Sequence, residues 1–230
     1  MQLQFNPMQV GYFVERLNRF VALVKLNDQK VEAHVATSGR LGELLVPGAE
    51  VLLEPSSSAK RRTRYSLRLV KYRNTWVCID AQVPNILVRK ALKQNALKPF
   101  VYCRFERSEP KYEHGRFDFL LREKEKPVLL EVKSVTLVEA KTALFPDAPT
   151  ERGARHLKHL AALRQEGYRC AVLFVVQRDD AIYFAPNQKR DPAFARALRH
   201  AVAGGVEVYA YACQVMPEEI ALTGRLPVLV

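Results

Sequence analysis

The sequence is short of the features that mark several common classes of protein. Its four cysteines (Cys78, Cys103, Cys170, Cys213) lie far apart and form no Cys-x-x-Cys pair, which argues against a zinc module. Apolar flanks such as Trp76-Val77-Cys78-Ile79 suggest reduced, buried thiols. No apolar run approaches the ~20 residues that a membrane helix needs. The start, Met1-Gln2-Leu3-Gln4-Phe5, lacks the basic and apolar regions of a secretory signal, so the expectation is a cytoplasmic protein. No internal repeat is visible. A composition of 48% hydrophobic and 26% charged residues excludes disorder as the main theme.

Negative charge is also scarce. There are 36 Lys plus Arg against 24 Asp plus Glu, a formal net charge of +12, which points towards a polyanionic partner, most often nucleic acid. The 230 residues suffice for one large domain or two small ones. Residues 1–82 hold 12 bases and 7 acids and the remainder 24 and 17, so both parts could touch a polyanion.

Residues 1–82 read as β structure. Segments such as Phe20-Val21-Ala22-Leu23-Val24 are rich in aromatic and branched residues, Val31-Glu32-Ala33-His34-Val35 alternates, and Asn27-Asp28 and Pro47-Gly48 supply turns. Five or six short strands in this length predict a small oligonucleotide-binding type of barrel. After residue 83 the pattern changes. Val83-Pro84-Asn85 offers a helix start and Ile86 to Leu97 carries apolar residues at helical spacing. Strands at 117–121 and 128–133, a helix at 150–166, an apolar strand at 170–177, a helix at 191–203 and a strand at 206–211 predict an α/β layered domain over 83–230. The fold class expected is thus α+β with two domains, 1–82 and 83–230.

The chemistry-bearing residues are Asp118, Glu131 and Lys133. Both acids sit in apolar surroundings, and burying a carboxylate costs several kcal/mol unless a partner compensates it, so two on neighbouring strands suggest a shared cation. Residues two apart in a strand share a face, which turns Glu131 and Lys133 the same way; a hairpin would bring Asp118 to them. Oxygen ligands of this kind suit Mg²⁺, with Mn²⁺ as a substitute, and such an ion activates water and neutralises charge on a phosphodiester. Spacing alone does not select this site. The chain has four acid-x-Lys triplets (Asp28 to Lys30, Glu109 to Lys111, Glu131 to Lys133, Glu139 to Lys141), and only the third has its acid embedded in an apolar strand behind a second embedded acid. A buried Glu-Lys ion pair, with Asp118 capping a turn, is the competing reading.

Three segments, Arg116 to Leu121, Glu131 to Leu137 and Phe145-Pro146-Asp147-Ala148-Pro149-Thr150-Glu151-Arg152-Gly153 through Leu157, resemble the sugar fermentation stimulation protein A family. Thr37-Ser38-Gly39-Arg40-Leu41 and Leu44-Leu45-Val46-Pro47-Gly48 resemble its Asn-Thr-Gly-Arg-Met and Leu-x-x-Pro-Gly signatures. The resemblance implies an oligonucleotide-binding barrel followed by a PD-(D/E)xK (restriction-endonuclease-like) domain, with DNA binding of low sequence specificity. It assigns Asp118, Glu131 and Lys133 to the nuclease triad, Asp118 and Glu131 as metal ligands, and Glu109 as an additional acid ahead of the first catalytic strand. It also brings His156 to the border of the site. Glu113, where the family has glycine, is a departure that adds an acid nearby.

Lys60 to Arg73 carries seven bases (Lys60, Arg61, Arg62, Arg64, Arg68, Lys71, Arg73) and no acid, with Tyr65 and Tyr72 interleaved. Bases can track phosphates and aromatics can stack on unpaired bases; a solvated strand face is the bland alternative. Arg116, Arg152, Arg155 and His156 are further candidates for nucleic-acid contact. The expectation is a Mg²⁺-dependent nuclease of DNA, with RNA as an alternative substrate. The rival is a non-catalytic DNA-binding protein with a regulatory role in sugar (maltose) use.

Overall fold

Alternating apolar residues in the first third of the chain close a barrel. The computed structural model describes residues 1–56, 61–112 and 115–230. A short β1 (Gln2–Gln4) is followed by β2 (Gln9–Asn18), β3 (Val21–Leu26), β4 (Gln29–Val35), β5 (Glu50–Pro55), β6 (Tyr65–Tyr72) and β7 (Thr75–Cys78). The order β4-β3-β2-β5-β6-β7, with a parallel β4–β6 pairing, wraps five strands into a barrel and leaves β7 as an extension. Its interior is filled by the inward residues of each strand, among them Val24, Ala33, Val35, Leu53, Leu67 and Val77. The expected oligonucleotide-binding type of barrel is therefore present.

The second part contains α1 (Val83–Lys93), β8 (Cys103–Ser108), β9 (Lys111–Tyr112), β10 (Gly115–Arg116), β11 (Phe119–Glu123) and β12 (Lys126–Val135). It continues through β13 (Leu137–Glu139), β14 (Thr142–Phe145), α2 (Glu151–Gln165), β15 (Arg169–Val176), β16 (Tyr183–Pro186), α3 (Pro192–Ala203), β17 (Glu207–Val215) and β18 (Glu219–Leu226). The large sheet has the order β1-β18-β17-β15-β12-β11-β8, with β12, β15 and β17 parallel. Helix α1 covers one face, where Leu87 and Ala91 meet Leu130 and Leu173. The other face is covered by α2 and α3, where Leu157, Leu160 and Phe194 meet Leu129, Val172 and Phe174. The apolar run of β15 is accordingly buried on both sides.

One expectation is corrected. Residues 2–4 do not join the unit expected over 1–82: β1 pairs antiparallel with β18, the edge of the large sheet. Met1, Leu3, Phe5 and Met8 pack on that sheet's core, and the Phe5 amide donates to the Glu218 carbonyl at 2.8 Å. Burial of these side chains and capping of an open sheet edge outweigh their proximity in sequence to the barrel. All four cysteines are buried and unpaired, and burial pushes the Cys78 thiol up to about 12. Among the described residues no helix is long and apolar enough to cross a membrane.

Candidate metal and nucleic-acid site

Strand pairing brings the two acids together. β11 and β12 form an antiparallel hairpin in which Phe119 pairs with Leu130, so Asp118 stands opposite Glu131. Asp118 lies one residue ahead of β11 rather than inside a strand. Its Oδ2 accepts the Val132 amide at 2.7 Å, across the hairpin, and its Oδ1 accepts Asn85 Nδ2 at 2.7 Å. Glu131 is 4% exposed. Its Oε1 accepts Lys133 Nζ at 2.6 Å and meets His156 Nδ1 at 2.5 Å.

Two oxygens in this cluster are buried without a hydrogen-bond partner among the described residues: Glu131 Oε2 and Asn85 Oδ1. Orphaned acceptors of this kind cost on the order of 1–3 kcal/mol each unless something else occupies them. The electrostatics separate the two carboxyls. Burial, and then the charge of Glu131, push Asp118 up to about 6, against the pull of the Val132 amide, Asn85 and Lys133. Burial would also raise Glu131, but the His156 hydrogen bond and the Lys133 charge outweigh it and hold this carboxyl below its ordinary value. Such a split between neighbouring acids is what catalytic and metal sites show.

Helix α2 delivers His156 because its start is locked. Thr150 caps it by accepting the Gly153 amide at 3.0 Å, as the Thr-Glu opening predicts. Asp191 caps α3 through the Phe194 amide at 2.9 Å and also accepts the Thr150 amide at 2.8 Å, so one carboxylate ties both helix starts. A Cβ at Gly153 would stand 2.8 Å from Thr150 Cγ2 and 3.2 Å from the Phe194 ring. Only glycine lets the two helices meet so closely.

The other candidates are distributed differently. Glu109 shares a backbone hydrogen bond with Asp118, but its carboxylate is turned to Arg116 at 2.9 Å on the surface. Glu109 thus forms an exposed ion pair with Arg116 rather than a hydrogen bond to Asp118 or Glu131 through its carboxylate. Arg68 is drawn into the protein. Its guanidinium is turned inward onto Glu54 and Asp80, because a buried Asp80 needs a counter-charge. Lys71 lies 3.6 Å from Glu50 and over the Trp76 ring. Tyr65 is half-buried on the barrel core. Arg61 donates to Ser66 at 3.2 Å, while Arg62, Arg64 and Arg73 are exposed. Lys60 and Glu113 lie outside the described residues. On α2, Arg152 and Arg155 are exposed, and Arg152 Nε approaches His156 Nε2 at 3.5 Å.

Asn85 is the group that sequence reasoning missed. Read as part of a helix-start signal, it sits within the first turn of α1, where Gln82 is the cap position. The available signal was its spacing: three residues before Val88 and seven before Leu92, Asn85 is the polar member of the buried stripe.

An oligonucleotide-binding barrel joined to an α/β domain, with paired acids and a lysine on a hairpin, defines the class of protein. Comparison with known proteins agrees: residues 14–79 match the SfsA N-terminal OB domain, and residues 82–219 match the sugar fermentation stimulation protein RE domain. The chain belongs to the sugar fermentation stimulation protein family. It is 45% identical over 220 residues to the sugar fermentation stimulation protein homolog of Moorella thermoacetica, covering 95% of this chain and 94% of that protein. Against the homolog of Natranaerobius thermophilus the identity is 47% over 223 residues, covering 95% and 92%. The solved structure of Pyrococcus furiosus SfsA in complex with Ca²⁺ matches with a TM-score of 0.92 at 30% identity, covering 99% of this chain and 98% of that one.

Proposed function

We propose that this protein is a divalent-metal-dependent phosphodiesterase acting on nucleic acid, with DNA as the first substrate to test and RNA as the alternative, and with little sequence specificity. The observation that carries the reading is the state of Glu131: buried, anchored through Oε1 by Lys133 and His156, and left with Oε2 unpartnered among the described residues, across the hairpin from Asp118. A hard cation held by Asp118 and Glu131 would satisfy that oxygen, and the all-oxygen donor set suits Mg²⁺, with Mn²⁺ as a substitute. That the Pyrococcus relative was solved in complex with Ca²⁺, also a hard divalent cation, supports a divalent-metal reading. When bound, such an ion lowers the pKa of water and neutralises charge building on the phosphodiester.

The chain's own groups then have separate tasks. His156 occupies Glu131 Oε1 and so reserves Oε2 for the ion. Lys133, partly accessible beside the acids, orients the attacking water or meets charge developing on the phosphoryl oxygens. Asp118 must give up its proton before it can act as a ligand, and Asn85 and the Val132 amide hold it in position.

The test is incubation of labelled single-stranded DNA, duplex DNA and RNA with Mg²⁺, Mn²⁺ or EDTA, beside Lys133→Ala. Cleavage that needs metal and disappears in the variant, while binding survives, is expected. Cleavage by Lys133→Ala at the wild-type rate, or no cleavage of any substrate by the wild type, would overturn the proposal.

A further inference from the structure

A cleft of about 860 Å³ separates the barrel from the α/β domain. One wall is the barrel turn from Thr37 to Leu41 with Arg16 and Arg19; the other is the end of β12 and the loop into α2. Two of its lining residues adjoin the carboxylate cluster along the chain: Ser134 follows Lys133 on β12, on the opposite face of that strand, and Thr150 caps the helix that carries His156.

The charge along this cleft is one-sided. Arg16, Arg19 and Arg40 line it, and the one acid among the lining residues is Asp147. Asp147 is already engaged, its Oδ2 accepting the Leu41 amide at 3.3 Å. Arg16 serves as an internal pin, donating to the carbonyls of Arg19 at 2.5 Å, Gly39 at 2.6 Å, Arg40 at 3.0 Å and Thr37 at 3.1 Å. It fixes the turn that presents Ser38 and Arg40. Arg19 and Arg40 are exposed, and among the described residues neither has a carboxylate partner. In the basic run ending at Arg73, by contrast, Arg68 and Lys71 are taken up by acids.

Charge, hydroxyls and position together suit a phosphodiester backbone. The volume falls within the ~300–1,000 Å³ typical of pockets for drug-sized ligands, room for a short length of single strand. We infer that this cleft is the binding groove for single-stranded nucleic acid on its way to the carboxylates, with Arg19 and Arg40 neutralising backbone phosphates and Ser38 donating to them. The inference deepens the phosphodiesterase reading and rests on it for what lies at the end of the groove.

Binding of a fluorescein-labelled oligothymidylate, followed by anisotropy in EDTA across a salt series, tests it. The double variant Arg19→Ala/Arg40→Ala is expected to weaken binding about tenfold or more at low salt. It should also flatten the log–log salt slope by about 1.4, since each single-strand phosphate contact contributes ~0.7. A charge-matched variant on the β11–β12 turn, Lys124→Ala/Lys126→Ala, should change affinity less than about twofold, and a hairpin duplex should bind more weakly than the single strand. The groove is refuted if Arg19→Ala/Arg40→Ala binds as wild type, if Arg61→Ala/Arg64→Ala takes its place as the damaging pair, or if the duplex binds more tightly. Failure of the two readings is separable. A wild type that binds as described and never cuts keeps the groove and loses the phosphodiesterase. One that cuts, with Arg19→Ala/Arg40→Ala binding normally, keeps the phosphodiesterase and loses the groove.

Discussion

Gly39 of the barrel approaches Asp147 of the α/β domain so closely that a Cβ on the glycine would stand 2.7 Å from Asp147 Oδ2. The glycine matters here for the space it leaves. Its carbonyl is held by Arg16, and the next residue but one, Leu41, is buried with a positive φ of 53° and donates its amide to Asp147. Gly39→Ala would push the carboxylate off that amide, at a cost of about 1 kcal/mol. The effect should be non-additive: on an Asp147→Ala background the same change meets no oxygen and should cost little, giving a coupling of about 1 kcal/mol in denaturant melts. Purely additive losses would show that the close approach is not the cause.

Arg178 ties the two parts together from within. Its side chain is 0% exposed, forms paired hydrogen bonds of 2.6 Å to both carboxylate oxygens of Asp180, donates to the Thr136 carbonyl at 2.9 Å, and lies 4.9 Å from the Tyr72 ring centroid of the barrel. Asp180 is exposed and stays solvated, so Arg178→Met acts by losing these charged hydrogen bonds and by leaving the buried Thr136 carbonyl without its donor, at a cost of about 3 kcal/mol. For a chain of this size that corresponds to a fall in Tm of roughly 6–12 °C in a thermal melt. Tyr72→Leu, which removes only the ring under the cation, should cost about 1 kcal/mol or less. Equal losses from the two variants would mean that Arg178 acts through the barrel contact alone.

What could be read from residues alone divides along physical lines. Period-two alternation is local, so the strands of the barrel, the shared face of Glu131 and Lys133 and the starts of the helices near Thr150 and Asp191 were legible. The position of Asp118 opposite Glu131 followed from the short turn between the strands. Partners far apart in sequence were not legible. Nothing around Gln2–Gln4 announces that it pairs with β18, more than 200 residues away. Arg68 looked like one base in a basic run because Glu54 and Asp80, which claim it, lie on a neighbouring strand and beyond β7. His156 was placed near the site by resemblance, and its bond to Glu131 needed the packing of α2. The cleft arginines are scattered over 24 residues of sequence and are gathered only when the Thr37–Leu41 turn folds back onto Arg16.

The raised pKa of Asp118 makes a stability prediction with a definite sign. Between its ordinary 3.8 and about 6 the folded protein holds this proton more tightly than the unfolded chain does. Stability without metal is therefore lost as pH rises through that window, and the full cost stands above about 6. A rise of this size is worth roughly 3 kcal/mol at most. Asp118→Asn, which cannot ionise and keeps an oxygen for the Val132 amide, should be more stable than wild type at pH 7 in EDTA and nearly equal to it at pH 4. Denaturant melts at the two pH values measure this. A difference that is the same at both would show that ionisation of Asp118 is not what the substitution removes.

Asn85 makes a prediction about metal binding that needs no cleavage assay. Its amide nitrogen holds Asp118 Oδ1 at 2.7 Å while its own oxygen, like Glu131 Oε2, is buried without a partner among the described residues. Groups that hold a ligand in place typically affect metal affinity by about 10–100-fold. Asn85→Ala should therefore weaken Mn²⁺ binding by about tenfold in isothermal titration at pH 8, where Asp118 is ionised. Asn85→Asp supplies an oxygen at the same position and should recover the affinity at pH 8. It should lose it faster than wild type as pH falls, since a third carboxylate beside Asp118 raises the cost of ionising both. If Asn85→Ala binds Mn²⁺ as tightly as wild type, the two orphaned oxygens do not converge on the same ion and Asn85 serves only to hold α1 against the hairpin.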